Sequence, residues 1–186
     1  GNYDLHVALH SNASPQSQAG ENRGSIVFYY PSSVKGRRAA DIIASNLKDL
    51  YPYPNLVRTE PSTSLGELSQ TRAPAVLIEF AFHDNPEDAD WIKSNIQAIA
   101  KNVVYSLTEY FDIPFVNPQP ERIGTVHLQY GYLNIRAKPD TGAASLARAY
   151  NGNKVVVLGQ WQDWYVVQYH GTVGYANSRY ITLDNY

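Results

Sequence analysis

The residue types that could do chemistry gather in two places. Asp4-Leu5-His6-Val7-Ala8-Leu9-His10-Ser11-Asn12-Ala13 sets two histidines in an apolar, β-like run. Pro74-Ala75-Val76-Leu77-Ile78-Glu79 ends a second apolar run on a carboxylate. A histidine with a carboxylate is a minimal set for zinc binding or for acid–base catalysis. On a strand, His6 and His10 share a face but lie about 13 Å apart, too far to hold one metal together. On a helix the same spacing would let both bind zinc. The β-like sequence and the missing helix-start residues favour the strand. His10, at the strand end, is then the functional histidine, and His6 a packed or edge one. Glu79 is the candidate carboxylate, because burying one without a purpose is costly. Asp84 and Asn85 read as capping groups for the next helix, and His83 as an exposed loop histidine that could also line the site.

These residues need a scaffold that brings them together. Leu5–Leu9 and Ser25–Tyr30 read as strands, the latter β-branched and aromatic. Pro31-Ser32-Ser33 opens a helix in which Ala39, Ile43, Leu47 and Leu50 recur at helical spacing before Pro52. Ala75–Ile78 is a continuous apolar run, as in a buried parallel strand. Asn85-Pro86-Glu87-Asp88 starts a helix that Ile92, Ile96, Ile99, Val103 and Leu107 continue to about Phe111. Alternating strands and helices predict an α/β domain with a parallel sheet over residues 1–112. Ligands in such sheets bind beyond the carboxyl ends of the strands. If the strands are parallel, His10 and Glu79 project into one crevice. The long polar Ser11–Gly24 loop would either shape that crevice or be mobile.

Composition bounds the alternatives. The 186 residues contain Cys 0 and Met 0. Disulfides, thiolate nucleophiles and Cys-ligated zinc are excluded, so a metal must rest on His, Asp or Glu. A chain without methionine is expected to be a processed form or a fragment, with further strands of the sheet upstream. Residues 1–121 hold 9 Lys+Arg against 14 Asp+Glu, and residues 122–186 hold 6 against 3. Neither part is basic enough for nucleic acid, and no apolar run approaches the ~20 residues of a membrane span. A basic small domain on an acidic one suits an anionic polymer partner.

Residues 112–121 contain three prolines in ten residues, which predicts a semi-rigid linker over 113–123. Beyond it, over 124–186, the pattern is all β. Val126–Tyr130, Leu133–Arg136, Lys154–Gln160, Trp164–Tyr169 and Thr172–Ala176 are short runs separated by turn residues, as in a small barrel. Trp164, opening a strand, reads as core, and Trp161, in a turn, as a surface ligand contact.

The motifs resemble two families. Leu5–Ala13 is similar to the "SIHANA" segment of zinc-dependent N-acetylmuramoyl-L-alanine amidases. Pro74–Phe82 with Asn85-Pro86-Glu87 resembles that family's "PAVLVExGFxSNxxE" segment. Gly24, Tyr29-Tyr30 and the following helix match in order and spacing, so the resemblance spans about residues 2–112. It implies cleavage of the amide between N-acetylmuramic acid and the L-alanine of the peptidoglycan stem peptide. By resemblance His10 is a zinc ligand, and Glu79 the catalytic glutamate acting as general base and then acid. Asn12 and Arg72 become candidate substrate contacts, Arg72 standing in for an arginine that aligns nearer Ser69. The family also has a Gly-His-Gly histidine and a zinc-binding glutamate, both expected upstream of Gly1. The family's Gly and Ser are Ala81 and Asp84 here. Leu133-Asn134-Ile135-Arg136-Ala137-Lys138-Pro139 resembles the "LNVRSGPS" signature of bacterial Src-homology-3-like domains, matching about 124–184. Such domains are thought to hold peptidoglycan peptides.

Together these imply a secreted or envelope-bound bacterial peptidoglycan hydrolase using Zn2+, with a wall-binding barrel. The rival reading is a wall-binding module with a truncated, inactive amidase remnant.

Overall fold

The computed structural model describes residues 3–184, in which contacts divide the chain into two compact units, Gly1–Asp112 and Ile113–Tyr186.

The first unit is built on a four-stranded sheet of β1 (His6–Asn12), β2 (Ile26–Tyr29), β3 (Arg58–Pro61) and β4 (Ala75–Phe82), in the order β1-β4-β2-β3. The sheet is mixed, not wholly parallel: β1 pairs with β4 and β2 with β3 in parallel, whereas β2 runs antiparallel to β4. The physical reason lies in the connection. The loop after β1 crosses over the end of β4 and enters β2 at Ile26, which sits opposite Glu79. With no helix between β1 and β2 to carry the chain back along the sheet, β2 must run the other way.

Four helices complete the unit: α1 (Val34–Lys48), α2 (Gly66–Ser69), α3 (Pro86–Ser94) and α4 (Ile96–Phe111). Ser33 caps α1 by accepting from the Gly36 N–H at 3.0 Å. Ala39, Ile43 and Leu47 pack with Val76, Ile78 and Phe80 of β4 and with Ile99, Val103 and Tyr110 of α4. The opposite face of β4 carries Ala75 and Leu77, which pack with Ala8 of β1 and Leu68 of α2. Strand alternation therefore puts Glu79 on the α2 face, away from the main core, together with His6 and His10.

The single helix expected from Asn85 to Phe111 is two. Asn95 leaves the helical region (φ −123°, ψ 17°) and its side-chain amide donates to the Trp91 carbonyl at 2.8 Å. The turn of α3 is closed by that bond, and Ile96, expected on the apolar stripe, is exposed.

The second unit is an all-antiparallel sheet of β5 (Arg122–Val126), β6 (Leu133–Arg136), β7 (Ser145–Ala149), β8 (Lys154–Trp161), β9 (Trp164–Tyr169), β10 (Thr172–Asn177) and β11 (Ile181–Leu183). Its order is β11-β5-β8-β9-β10-β6-β7. Val126, Ile135, Val155, Val157, Val167 and Ala176 form its core. Among the described residues no pairing joins β11 to β7, so the sheet wraps its core without closing as the expected barrel. The strand expected at Val126–Tyr130 ends at Val126 instead. The prolines of 113–121 do not form a free linker: the Gln119 N–H donates to the Leu158 carbonyl at 3.4 Å, and Val116 lies on β8. A Cβ on Gly159 would meet the Val116 side chain at 2.7 Å, so glycine makes room for that contact.

Candidate active site

His10 and Glu79 are register partners in the parallel β1–β4 pair. Adjacent strands lie about 4.8 Å apart and partners project to the same side, so the two side chains are neighbours in the carboxyl-terminal half of both strands. The pairing shifts between His10 and Asn12, and Asn12 pairs with Phe82. That irregularity ends the regular ladder just beyond the site.

Glu79 is half-buried, and its Oε2 is enclosed with no hydrogen-bond partner. Burial holds its carboxyl above the usual carboxylate range, and the imidazoles of His10 and His83 pull it back down. His10 is exposed. A buried acceptor without a donor is costly in a finished site, so it points to a group that comes from outside.

The loop that crosses the end of β4 is tied down. Both carboxylate oxygens of Asp84 accept the Ser14 N–H at 3.1 Å, and Oδ2 accepts the Gly20 N–H at 2.9 Å. These donors, Gly20 first, hold Asp84 below the usual carboxylate range. Asn85 caps α3 through the N–H groups of Glu87 and Asp88, and its amide donates to the Gly20 carbonyl at 2.8 Å. Asp84, expected to cap the helix, is instead the loop's anchor.

Asp88 ties the far end of the same loop to the core. It is 1% exposed and accepts from the Gly24 and Phe82 N–H groups, each at 3.0 Å, and from the Tyr51 hydroxyl. Burial first, and then Asp88, push the Tyr51 hydroxyl up. Gly24 has φ +111°, and a Cβ there would meet the Leu56 carbonyl oxygen at 2.4 Å, so this position takes only glycine.

His83 was undervalued in the sequence. It is exposed, yet its Nδ1 lies 3.1 Å from Ser11 Oγ and 3.2 Å from the Ser11 carbonyl oxygen. Its N–H donates to the Asn12 carbonyl at 2.8 Å. β4 running on to Phe82, three residues past Glu79, is what carries His83 to the end of β1. The apolar residues Phe80, Ala81 and Phe82 resuming after Glu79 were the available signal.

Of the other expected contacts, Asn12 lies beside the pair, and Arg72 and Trp161 do not. Asn12 accepts from the Ala13 N–H at 2.9 Å, a local turn bond. Arg72 lies three residues before the start of β4, in a depression with Tyr30, Ser33 and Leu68, and the strand from Ala75 to Glu79 alone spans about 13 Å. Trp161 lies in the second unit, half-buried and paired with Trp164 across the β8–β9 hairpin. His6 Nε2 donates to the Glu67 carboxylate of α2 at 2.6 Å, at the other end of β1 from His10. Among the described residues no three His, Asp or Glu side chains group to hold a metal ion.

Residues 1–109 match the family model described as N-acetylmuramoyl-L-alanine amidase, and residues 131–182 match that of the bacterial SH3 domain. No curated protein matches the chain. Among solved structures, the catalytic domain of the CD27L endolysin targeting Clostridia difficile is 35% identical, with TM-score 0.51, covering 59% of this chain and 56% of that one. The CwlD amidase from Clostridioides difficile, in complex with the GerS lipoprotein, is 22% identical, with TM-score 0.54 and coverage of 60% and 56%. The amidase Ami1 from Mycobacterium smegmatis is 20% identical, with TM-score 0.50 and coverage of 59% and 54%. The last two show a shared fold. The chain spans little more than half the length of these structures. On the extent of the first match, the chain belongs to the N-acetylmuramoyl-L-alanine amidase family, and it carries a bacterial SH3 domain after its amidase portion.

Proposed function

We propose that this chain supplies the general base and one metal ligand of a peptidoglycan amidase acting at the bacterial cell wall. The bond cut is the amide between N-acetylmuramic acid and the L-alanine of the stem peptide, and the second unit holds the enzyme to the wall. The observation that carries this reading is the His10–Glu79 pair at the carboxyl end of β1 and β4, with Glu79 Oε2 buried and unpaired.

The donor chemistry suits zinc in kind but falls short in number. His10 offers an exposed imidazole, and Glu79 a carboxylate beside it. A catalytic zinc takes three protein ligands, so further donors must come from outside the described residues. When bound there, zinc would polarise the amide carbonyl and acidify a water. Glu79 is the residue that would accept a proton from the attacking water at Oε2, which has no competing donor, and would return it to the departing L-alanine nitrogen. Its raised pKa suits both halves of the transfer, since it makes a stronger base than an ordinary carboxylate. Asp84 and Asn85 hold the crossing loop over the strand ends, which limits how substrate approaches.

Among the described residues no helix is long and apolar enough to cross a membrane. The product of digestion tests the reading. Peptidoglycan treated with the zinc-loaded enzyme should yield new L-alanine amino termini and no new reducing sugar ends. New reducing ends, or new amino termini of any other residue, overturn it.

A further inference from the structure

Three contacts tie His83 to the end of β1, and the proton transfer at Glu79 uses none of them. The His83 backbone N–H donates to the Asn12 carbonyl at 2.8 Å. Its Nδ1 lies 3.2 Å from the Ser11 carbonyl oxygen and 3.1 Å from Ser11 Oγ. The carbonyl fixes the tautomer. A carbonyl oxygen only accepts, so a bare Nδ1 at that distance would set lone pair against lone pair. Nδ1 therefore carries the hydrogen and donates to the Ser11 carbonyl, with Ser11 Oγ beside it. An imidazole held in this way is set in tautomer and in ring orientation.

These bonds fall where the ladder is weakest. β1 and β4 keep regular register from His6 opposite Ala75 to His10 opposite Glu79, and then it slips, so that Asn12 pairs with Phe82. Between those pairs β4 runs through Phe80 and Ala81 where β1 has Ser11 alone. An extra residue of this kind interrupts the pairing and re-aims nearby side chains. It comes immediately after His10 and Glu79. Among the described residues β1 pairs with no strand but β4, so the opposite edge of β1 gives no support. Phe80, Ala81 and Phe82 are buried, which makes β4 the fixed strand and β1 the one that is steered. His83, the first residue past β4, closes the ladder beyond the slip with its backbone. Its ring holds the Ser11 carbonyl, one residue past His10.

We propose that His83 is a positioning residue: its Nδ1–H clamps Ser11 and thereby keeps the His10 imidazole beside Glu79. That His10 and Glu79 are the working pair depends on the amidase reading; the clamp does not. A displacement of ~1 Å in a catalytic group can cost about 10²-fold in rate, so a bond at an exposed strand end can matter more to turnover than to stability.

Asparagine and glutamine variants separate the two ring nitrogens. An Asn side chain puts an amide N–H where Nδ1 stands, whereas Gln reaches the place of Nε2. His83 is exposed, so neither variant endangers folding. NMR of the isotope-labelled 186-residue chain reads the clamp directly. At about pH 8, above the ordinary imidazole range, the His83 ring should carry its proton on Nδ1. Cross-relaxation should connect the His10 ring to the Glu79 side chain. That connection should be lost in His83→Ala and His83→Gln and return in His83→Asn. In zinc-loaded protein that also carries the remaining metal ligands, kcat should fall about tenfold or more in His83→Gln, with KM little changed, and recover in His83→Asn. A proton on Nε2 of His83, an intact His10–Glu79 connection in His83→Gln, or recovery of kcat with Gln and not with Asn overturns the proposal. Failure of the amidase reading is distinguishable: Glu79→Gln would then leave turnover undiminished, while the tautomer and the Asn-specific return of the His10–Glu79 connection would still hold.

Discussion

Asp84 and Gly20 meet across the mouth of the candidate site: the Gly20 N–H donates to Asp84 Oδ2 at 2.9 Å, and the same carboxylate takes the Ser14 N–H on both oxygens. One side chain at the end of β4 thus pins a loop that topology obliges to pass over that end. Asp84→Ala should loosen the loop and leave the sheet intact. Hydrogen exchange at Ser14 and Gly20 should accelerate, with little change at Val76 or Ile78. Unchanged protection at Ser14 and Gly20 would show that Asp84 is not the anchor. Because these N–H groups depress the Asp84 pKa, its contribution is present above the ordinary carboxylate range and fades as pH falls through its lowered folded value. Loop protection in the parent protein should therefore drop on acidification, and Asp84→Ala should abolish that dependence.

Asp88 is a structural counterpart. Its carboxylate satisfies two backbone N–H groups and the Tyr51 hydroxyl in a nearly dry site. Asp88→Ala strands all three donors and should cost on the order of 3 kcal/mol. A calorimetric loss well under about 1 kcal/mol would mean that water replaces the carboxylate without penalty.

Glu79 carries the opposite signature. Burial raises its folded pKa, so its stability contribution is fully present below the unfolded value and is lost as pH rises through the folded one. In the metal-free chain, Glu79→Gln should therefore melt higher than the parent at pH 7. The difference should close below about pH 4, where both side chains are neutral. A variant that melts lower than the parent at pH 7 would contradict the burial argument.

The two strands were legible as apolar runs reaching His10 and Glu79, although β1 continues to Asn12 and β4 to Phe82, and register followed once β1 and β4 proved parallel. The direction of β2 was not legible, since periodicity reports which face is buried and says nothing of which strand is the neighbour. β3 was missed because Arg58-Thr59-Glu60-Pro61 is a polar edge strand with no alternation to read. Arg72 was placed by analogy of sequence position, and the first half of β4 separates it from Glu79. Trp161 and Trp164 were sorted by turn against strand. The tight β8–β9 hairpin makes them partners, and both are half-buried, Trp164 included, which was expected in the core.

Metal content gives a separate check. His10 is the ligand that the resemblance assigns within this chain, and one imidazole holds zinc weakly. The purified 186-residue chain should retain well below one zinc per molecule by elemental analysis after dialysis. Stoichiometric retention would show that the chain alone closes a metal site, with His83 the first candidate for a second donor.

Whether Glu79 moves the proton in amide hydrolysis is tested most directly by Glu79→Gln in zinc-loaded protein that also carries the remaining metal ligands, with stem-peptide release from peptidoglycan and bound zinc measured together. Release should fall to background, a loss of at least ~10²-fold as for other general bases, while zinc content stays that of the parent. Undiminished release with zinc in place would show that Glu79 is not the base.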